Sequence, residues 1–410
     1  MNIIENKLYV GEIPASDVVK KFGTPVYVYD EDVIRYKYRE LAESISYPKL
    51  KIFYAAKANA NKKILQILRE EKAGISAASI GEILVALNAG FKPNQIMLAS
   101  PSLTNQEMKF AISKKILINI DSVSQLERYG KLNPRSNVSI RINHAVKSSK
   151  HVLSGPDTQF GIWAGNLDQA ISAADAYNLN IVGLHHNVGT ELLDAKDYIN
   201  SIDVLLAVAK SFKNLDFINF GGGIGVPYLP DQTPLDINKL GEKISSILKR
   251  FAINYGKDLL FVFEPGRYLV AESGVLLCSV NAVKTTPKHT FVSVNTGFNH
   301  LLRPALYGSY HPIVNINNVE SKNKEKIVVS GNLSDSADLF TASKQGIKDR
   351  ELPSVKNNDV LAIMMAGAYG YSMSSNYNMH PRPAEILVSG KKMSVIRPAE
   401  KIHDLMQEDN

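Results

Sequence analysis

The chain has a single cysteine in 410 residues, and that scarcity removes several chemistries at once. With no second thiol there is no internal disulfide, and a cysteine-rich metal site is excluded. Cys278 lies inside the apolar run GVLLCSVNAV, where it is expected to fill a core. No metal is expected elsewhere. No uncharged apolar run approaches the roughly 18 residues a membrane helix needs, so no span is expected. The opening MNIIENKLYV has neither a basic stretch nor a long apolar one, so a secretory signal is not expected either. A cytoplasmic location follows as the expectation. The formal charge is +7, yet the lysines are scattered, with no run of five and no basic–aromatic stripe. A nucleic-acid partner is therefore not expected, and the charge reads as solubility with some attraction for small anions. Repeats and low-complexity stretches are also missing.

What is present is an ordinary globular balance, 45% apolar and 21% charged, long enough for two domains. From residue 51 onward, short apolar runs alternate with amphipathic stretches. The runs fall at 51–57, 73–79, 95–100, 116–122, 138–143, 181–187, 217–223 and 259–266. Helical patterns such as SIGEILVALNAG and DINKLGEKISSILKRFAINYG separate them. Eight strands alternating with helices predict a closed (β/α)8 TIM-type barrel, with an open doubly wound sheet as the rival. After Gly266 the texture changes to β-rich runs joined by turns, predicting a C-terminal β-barrel or sandwich domain. The boundaries expected are 25–270 for the barrel, with 1–24 and 271–410 forming the β-domain. The segment NKLYVGEIPASDVVKKFG could donate an edge strand to the barrel. The least regular stretch, 144–160, is long enough to be functional.

In such a barrel the active site sits at the C-terminal strand ends. Lys57 follows the first run, His185, His186 and Asn187 the sixth, FGGGIG the seventh and FEPGR the eighth. A lysine ending an apolar strand either escapes to water or is held for amine chemistry. Three successive glycines let backbone N–H groups approach an anion. Lys57 as a covalent amine, glycines for a phosphate and Glu264 for a pyridine nitrogen together suit pyridoxal 5'-phosphate. Alone, Glu264 could equally be an ion-pair partner of Arg267.

These motifs resemble a known family. YAAKAN, GGGIG, EPGR, FNHLLRPALYGSYH (298–311), GNLSDSADLF (331–340) and AGAYGYSMSSNYNMHPRPAEILV (366–388) look like the fold-type III pyridoxal-phosphate decarboxylases, nearest to diaminopimelate decarboxylase. The resemblance implies an alanine-racemase-like barrel plus β-domain, and a homodimer whose β-domain completes the partner's active site. It implies an amino-acid substrate, Lys57 as the Schiff-base lysine, and cofactor contacts from Asn187, Gly222, Gly223, Glu264, Gly266, Arg267 and Tyr369. It further implies that Arg267, Arg303 and Tyr307 grip a distal carboxylate, with Asp335 and Tyr369 also at the substrate. Four positions depart from the pattern. Ser334 stands where the family has a catalytic cysteine, and Asp335 where it has a glutamate. Asn187 replaces a ring-stacking histidine, and Ser76 an aspartate. A hydroxyl is a far weaker acid than a thiol of pKa about 8.5, so Ser334 would be a poor proton donor. The expected reaction is meso-diaminopimelate to L-lysine and CO2. The alternatives are a related substrate with a distal carboxylate, or a catalytically weak pyridoxal-phosphate-binding or regulatory homologue.

Overall fold

The structure is a computed structural model and describes residues 1–144, 151–343 and 346–406. Most of the irregular stretch 144–160 is included, while residues 145–150 lie outside the described ones. The chain divides into two compact units. One comprises Tyr36–Val226 and Thr233–Tyr268, and the other Met1–Arg35, Pro227–Gln232 and Leu269–Asn410.

The first unit is a closed barrel of eight parallel strands. They are β1 (Leu50–Ala55), β2 (Gly74–Ala77), β3 (Ile96–Ala99), β4 (Leu117–Ile120), β5 (Asn137–Asn143), β6 (Asn180–His185), β7 (Phe217–Asn219) and β8 (Leu260–Phe263). β8 pairs with β1 and β4 with β5, which closes the ring and rules out the open doubly wound sheet. Five strands fall within their apolar runs, and β1, β5 and β6 begin one residue before theirs. They are apolar almost throughout because helices cover one face and the barrel interior the other. Six of the helices start where a side chain accepts a first-turn N–H, from Asn61, Ser79, Thr104, Ser122, Asp194 and Asp236. One buried cluster joins Phe53, Met97, Phe217 and Val262. Gly183 makes room for it, since a Cβ there would come within 2.0 Å of the Phe217 ring. No helix among the described residues is long and apolar enough to cross a membrane.

The second unit is built on a sheet in which Gly274–Thr285 pairs with Val26–Asp30, Thr290–Val294 and Val360–Ile363. A hairpin turning at SGKK joins Ala384–Ser389 to Lys392–Arg397. Its core includes Val26, Val28, Val275, Leu277, Ala362, Ile386 and Val388. Cys278 is fully buried there, its thiol reaching the Leu361 carbonyl at 3.5 Å, and burial pushes its pKa well up. Two local readings differ from expectation. The N-terminal segment adds no strand to the barrel: Asn2–Ile4, Lys7–Val10 and Ile13–Pro14 form their own three-stranded sheet, followed by the helix Ala15–Phe22. Its Leu8, Val10, Ile13, Ala15 and Val18 bury against the β-rich core, which offers them an apolar surface. The strand Val26–Asp30, placed by its sequence position at the start of the barrel, pairs instead with Gly274–Thr285 and Ala384–Ser389. Periodicity announces a strand without saying which sheet will take it.

Candidate active site

Lys57 leaves β1 on a single 3-10 turn, Ala56–Ala58, and is exposed while both neighbours are fully buried. The turn delivers the amine to the C-terminal face of the barrel, and Gly266 packs beneath it. A Cβ at Gly266 would touch Ala55 and Ala58 at 3.1 Å.

Glu264, one residue beyond β8, is 5% exposed and tied down from two sides. Asn219, the last residue of β7, donates its amide to Glu264 Oε1 at 2.7 Å and accepts Gly221 N–H at 2.9 Å. Because the backbone N–H can only donate, it fixes which way the Asn219 amide points. On the other side, His185 Nε2 lies 3.2 Å from Glu264 Oε2. His185 Nδ1 in turn meets Asn119 at 3.1 Å, and Asn119 is held by Ser139 at 2.8 Å. Burial alone would raise the Glu264 pKa. His185, Asn219 and the charge of Lys57 more than offset it, so the carboxylate is held below its ordinary value and stays ionised. The ion pair of Glu264 with Arg267 that the sequence allowed does not form. Arg267 is instead bound by Thr190 Oγ1 at 3.2 Å and by Glu191 at 3.4 Å. Glu191 adopts φ 62°, a left-handed conformation that costs a bulky residue and is kept where the surroundings enforce it.

The glycine run lies against this group. A Cβ on Gly222 would come within 2.5 Å of the Glu264 carbonyl, and one on Gly221 within 2.2 Å of the His186 carbonyl. Gly223 sits at φ 114°. No side chain fits at Gly221 or Gly222 without shifting the neighbouring backbone, and the turn is free of side chains. Asn187 lies beside Gly221, and its buried Oδ1 has no protein partner. An amine at a strand end, a side-chain-free turn, an ionised buried carboxylate and an unpartnered amide oxygen fit pyridoxal phosphate. Ser76 lies on β2, beside Ala55 of β1, and is half-buried.

The remaining sequence candidates belong to the β-rich unit. Arg303 begins the short helix Arg303–Tyr307, is 3% exposed, and donates to Ser309 at 3.1 Å. The Tyr369 ring centroid lies 5.8 Å from its guanidinium. Tyr369 takes φ 57°, another left-handed bulky residue, while Tyr307 is 39% exposed. Ser334 and Asp335 are exposed on the loop 331–340. Buried Asp338 braces that loop by accepting Phe298 N–H at 2.7 Å and Leu333 N–H at 2.8 Å. Asn378 accepts the Ser334 N–H at 2.9 Å, and the Tyr377 hydroxyl meets Asp335 at 3.3 Å.

Sequence reasoning placed His185 at a strand end without a role, and it missed Asn219 and Asn119. A polar residue closing an apolar strand is the signal for Asn219, and a lone polar residue within the apolar β4 is the signal for Asn119.

A lysine, a glycine turn and a buried ionised carboxylate on successive strand ends of a closed barrel define a pyridoxal-phosphate barrel. Residues 31–271 match the family described as "Pyridoxal-dependent decarboxylase, pyridoxal binding domain". The chain is 39% identical to a diaminopimelate decarboxylase of Methanothermobacter thermautotrophicus, over 98% of this chain and 95% of that one. It superposes with TM-score 0.88 on the M. jannaschii diaminopimelate decarboxylase crystallised with L-lysine, at 31% identity and covering 100% and 97% of the two chains. The Helicobacter pylori enzyme, also complexed with L-lysine, gives TM-score 0.86 at 32% identity, covering 95% and 98%. The chain belongs to the diaminopimelate decarboxylase family of pyridoxal-dependent enzymes.

Proposed function

We propose that this chain decarboxylates meso-diaminopimelate to L-lysine and CO2. The observation that carries the reading is the buried, ionised Glu264 just beyond β8, the neighbour of the strand that leads to Lys57, in a chain related to diaminopimelate decarboxylases over nearly its whole length. Bound pyridoxal phosphate supplies an electron sink for the pair left at Cα when the carboxyl group departs. Lys57 would anchor the cofactor covalently, and Glu264 would keep its ring nitrogen protonated through a charge-assisted hydrogen bond. The turn through Gly222 and Gly223, with Gly266, would receive the phosphate, and by the family resemblance Asn187 and Tyr369 would also contact the cofactor. Arg267, Arg303 and Tyr307 bind the distal carboxylate, for which an arginine fork is suited. Asp335 contacts the distal amine, and Ser334 occupies the place from which a proton returns to Cα. We place Ser334 and Asp335 in the site of a second copy, making the enzyme a homodimer with shared sites. Their exposure, and that of Leu306, Tyr307, Tyr377 and Met379, supports this.

A second reading is supported by one observation. The only thiol, Cys278, is buried in a strand core and cannot donate in place of Ser334, so a related amino acid with a distal carboxylate fits a site lacking the thiol. The deciding experiment loads the protein with pyridoxal phosphate and measures CO2 and L-lysine from meso-diaminopimelate against a panel of diamino and dicarboxylic amino acids. Release of CO2 from another amino acid but not from diaminopimelate would replace the first reading with the second.

A further inference from the structure

The glycine turn after β7 runs on without a break into a segment that belongs to the other unit. Residues 223–225 are held by pairing with Leu192: Leu192 donates to the Gly223 carbonyl at 3.0 Å, and Gly225 donates to the Leu192 carbonyl at 2.9 Å. Three residues after Gly225 comes Tyr228, within the stretch Pro227–Gln232 that packs in the β-rich unit. Here the chain closes a tight turn on a single side chain. Gln232 Oε1 accepts both Tyr228 N–H at 2.9 Å and Leu229 N–H at 3.0 Å, and Gln232 N–H returns to the Leu229 carbonyl at 3.1 Å.

The turn presents one ring. Tyr228 is 6% exposed, and its centroid lies 5.3 Å from the Arg303 guanidinium. Tyr369 presents its own ring to the same guanidinium. Behind Tyr228, the imidazole of His311 packs edge-on at 5.3 Å, and His311 Nδ1 is fixed by the Met364 carbonyl at 2.9 Å. A guanidinium against aromatic faces keeps its charge and its planar fork while losing the freedom to swing. Its N–H groups then meet a carboxylate already oriented, so less ordering is needed on binding.

We infer that Tyr228 is a specificity-determining positioning residue, whose ring holds the Arg303 guanidinium for a carboxylate on the part of the substrate remote from the reacting carbon. This deepens the proposed function and rests on its reading of Arg303. Tyr228 acts through Arg303, whose guanidinium lies 5.3 Å from its ring centroid. Its removal should weaken binding of ligands that carry the distal carboxylate while leaving the chemical step nearly alone.

The test uses the pyridoxal-phosphate-loaded enzyme with two probes, L-lysine, which retains that carboxylate, and 1,5-diaminopentane, which has none. Calorimetric affinities are measured for wild type, Tyr228→Phe, Tyr228→Leu and Tyr228→Met. The Leu and Met variants should bind L-lysine about tenfold more weakly, with 1,5-diaminopentane unchanged, KM for diaminopimelate raised in parallel and kcat within about twofold. Tyr228→Phe keeps the ring and should behave as wild type. Gln232→Ala leaves the ring in place but frees the turn, and should shift L-lysine affinity in the same direction by less. In an Arg303→Met background, Tyr228→Leu should add nothing further. Unchanged L-lysine affinity in the Leu and Met variants overturns the inference, as does an equal loss for both probes or an equal loss in the Arg303→Met background. Should Leu or Met prevent folding, Gln232→Ala and Tyr228→Phe carry the test, and wild-type L-lysine affinity in Gln232→Ala counts against it. Wild-type enzyme that neither turns over diaminopimelate nor binds L-lysine overturns the proposed function instead.

Discussion

At the barrel mouth the carboxylate of Glu264 is held by His185 and Asn219 at once, and each of those residues is itself held, by Asn119 and Gly221. The loop 331–340 of the β-rich unit is braced differently. Asp338 and Asn378 grip its backbone, while the side chains of Ser334 and Asp335 face outward. The contrast follows from desolvation. An ionised carboxylate inside a protein costs several kcal/mol unless hydrogen bonds replace its water, so Glu264 requires a dense, fixed surround. An exposed hydroxyl or carboxylate costs nearly nothing, and its chemistry waits on whatever covers it. One region satisfies its charged group within its own unit, and the other leaves polar side chains exposed.

Breaking the barrel side should have the largest effects. Lys57→Ala is expected to lower decarboxylation by about 10³-fold or more, as losing one member of a catalytic unit does. Borohydride should then no longer fix the cofactor to the peptide containing residue 57, and labelling of another lysine in the wild type would count against the barrel assignment. Glu264→Gln removes the buried charge proposed to hold the cofactor's ring nitrogen protonated. It should cost about 10²- to 10³-fold in kcat with cofactor still bound, measured by CO2 release and cofactor absorbance.

The loop side is tested by complementation. Inactive Lys57→Ala and inactive Asp335→Ala proteins, unfolded and refolded together, should recover part of the activity, because some mixed dimers hold one intact site. Refolded mixtures that stay inactive would mean that sites are not shared. A smaller effect is expected from Ser334→Cys. If Ser334 is a slow donor, some turnovers of diaminopimelate should protonate on the cofactor side and give a carbonyl product with the pyridoxamine form. A thiol should reduce that share severalfold, as expected for better general-acid catalysis. An unchanged product ratio would show that Ser334 is not the donor.

The smallest effect compares the two units through stability. His144 in the barrel and His300 in the β-rich unit are both held neutral, their pKa values pushed down to about 4. Burial is the main cause in each. A carbonyl opposes it at both sites, that of Pro381 for His300, where Glu400 adds to the opposition and His380 acts with burial. The unfolded chain takes up these protons near pH 6.5, and the folded chain only near pH 4. The stability contribution is therefore fully present above pH about 6.5 and declines as the pH falls from there through about 4. Urea midpoints at pH 7.5, 5.5 and 4.5 should drop in that order. His300→Gln, whose amide can still reach the Pro381 carbonyl, should flatten the slope.

The sequence by itself determined eight strands alternating with helices, while their closure into a barrel rests on the pairing of β8 with β1 and of β4 with β5. Eight apolar runs separated by capped amphipathic helices leave little choice, because a parallel strand buried on both faces must be apolar and its crossover must be helical. It also placed Lys57, the glycine run and Glu264 at strand ends, since a polar residue ending a buried strand breaks its own pattern. Only the tertiary structure decided the partners. That Glu264 pairs with His185 and Asn219 rather than Arg267 depends on which strands become neighbours across the barrel mouth. That Val26–Asp30 joins the β-rich sheet, and that Tyr228 leaves a barrel loop to face Arg303, depends on contacts between residues far apart in the chain. Local pattern records what a segment must bury, and only folding settles what it is buried against.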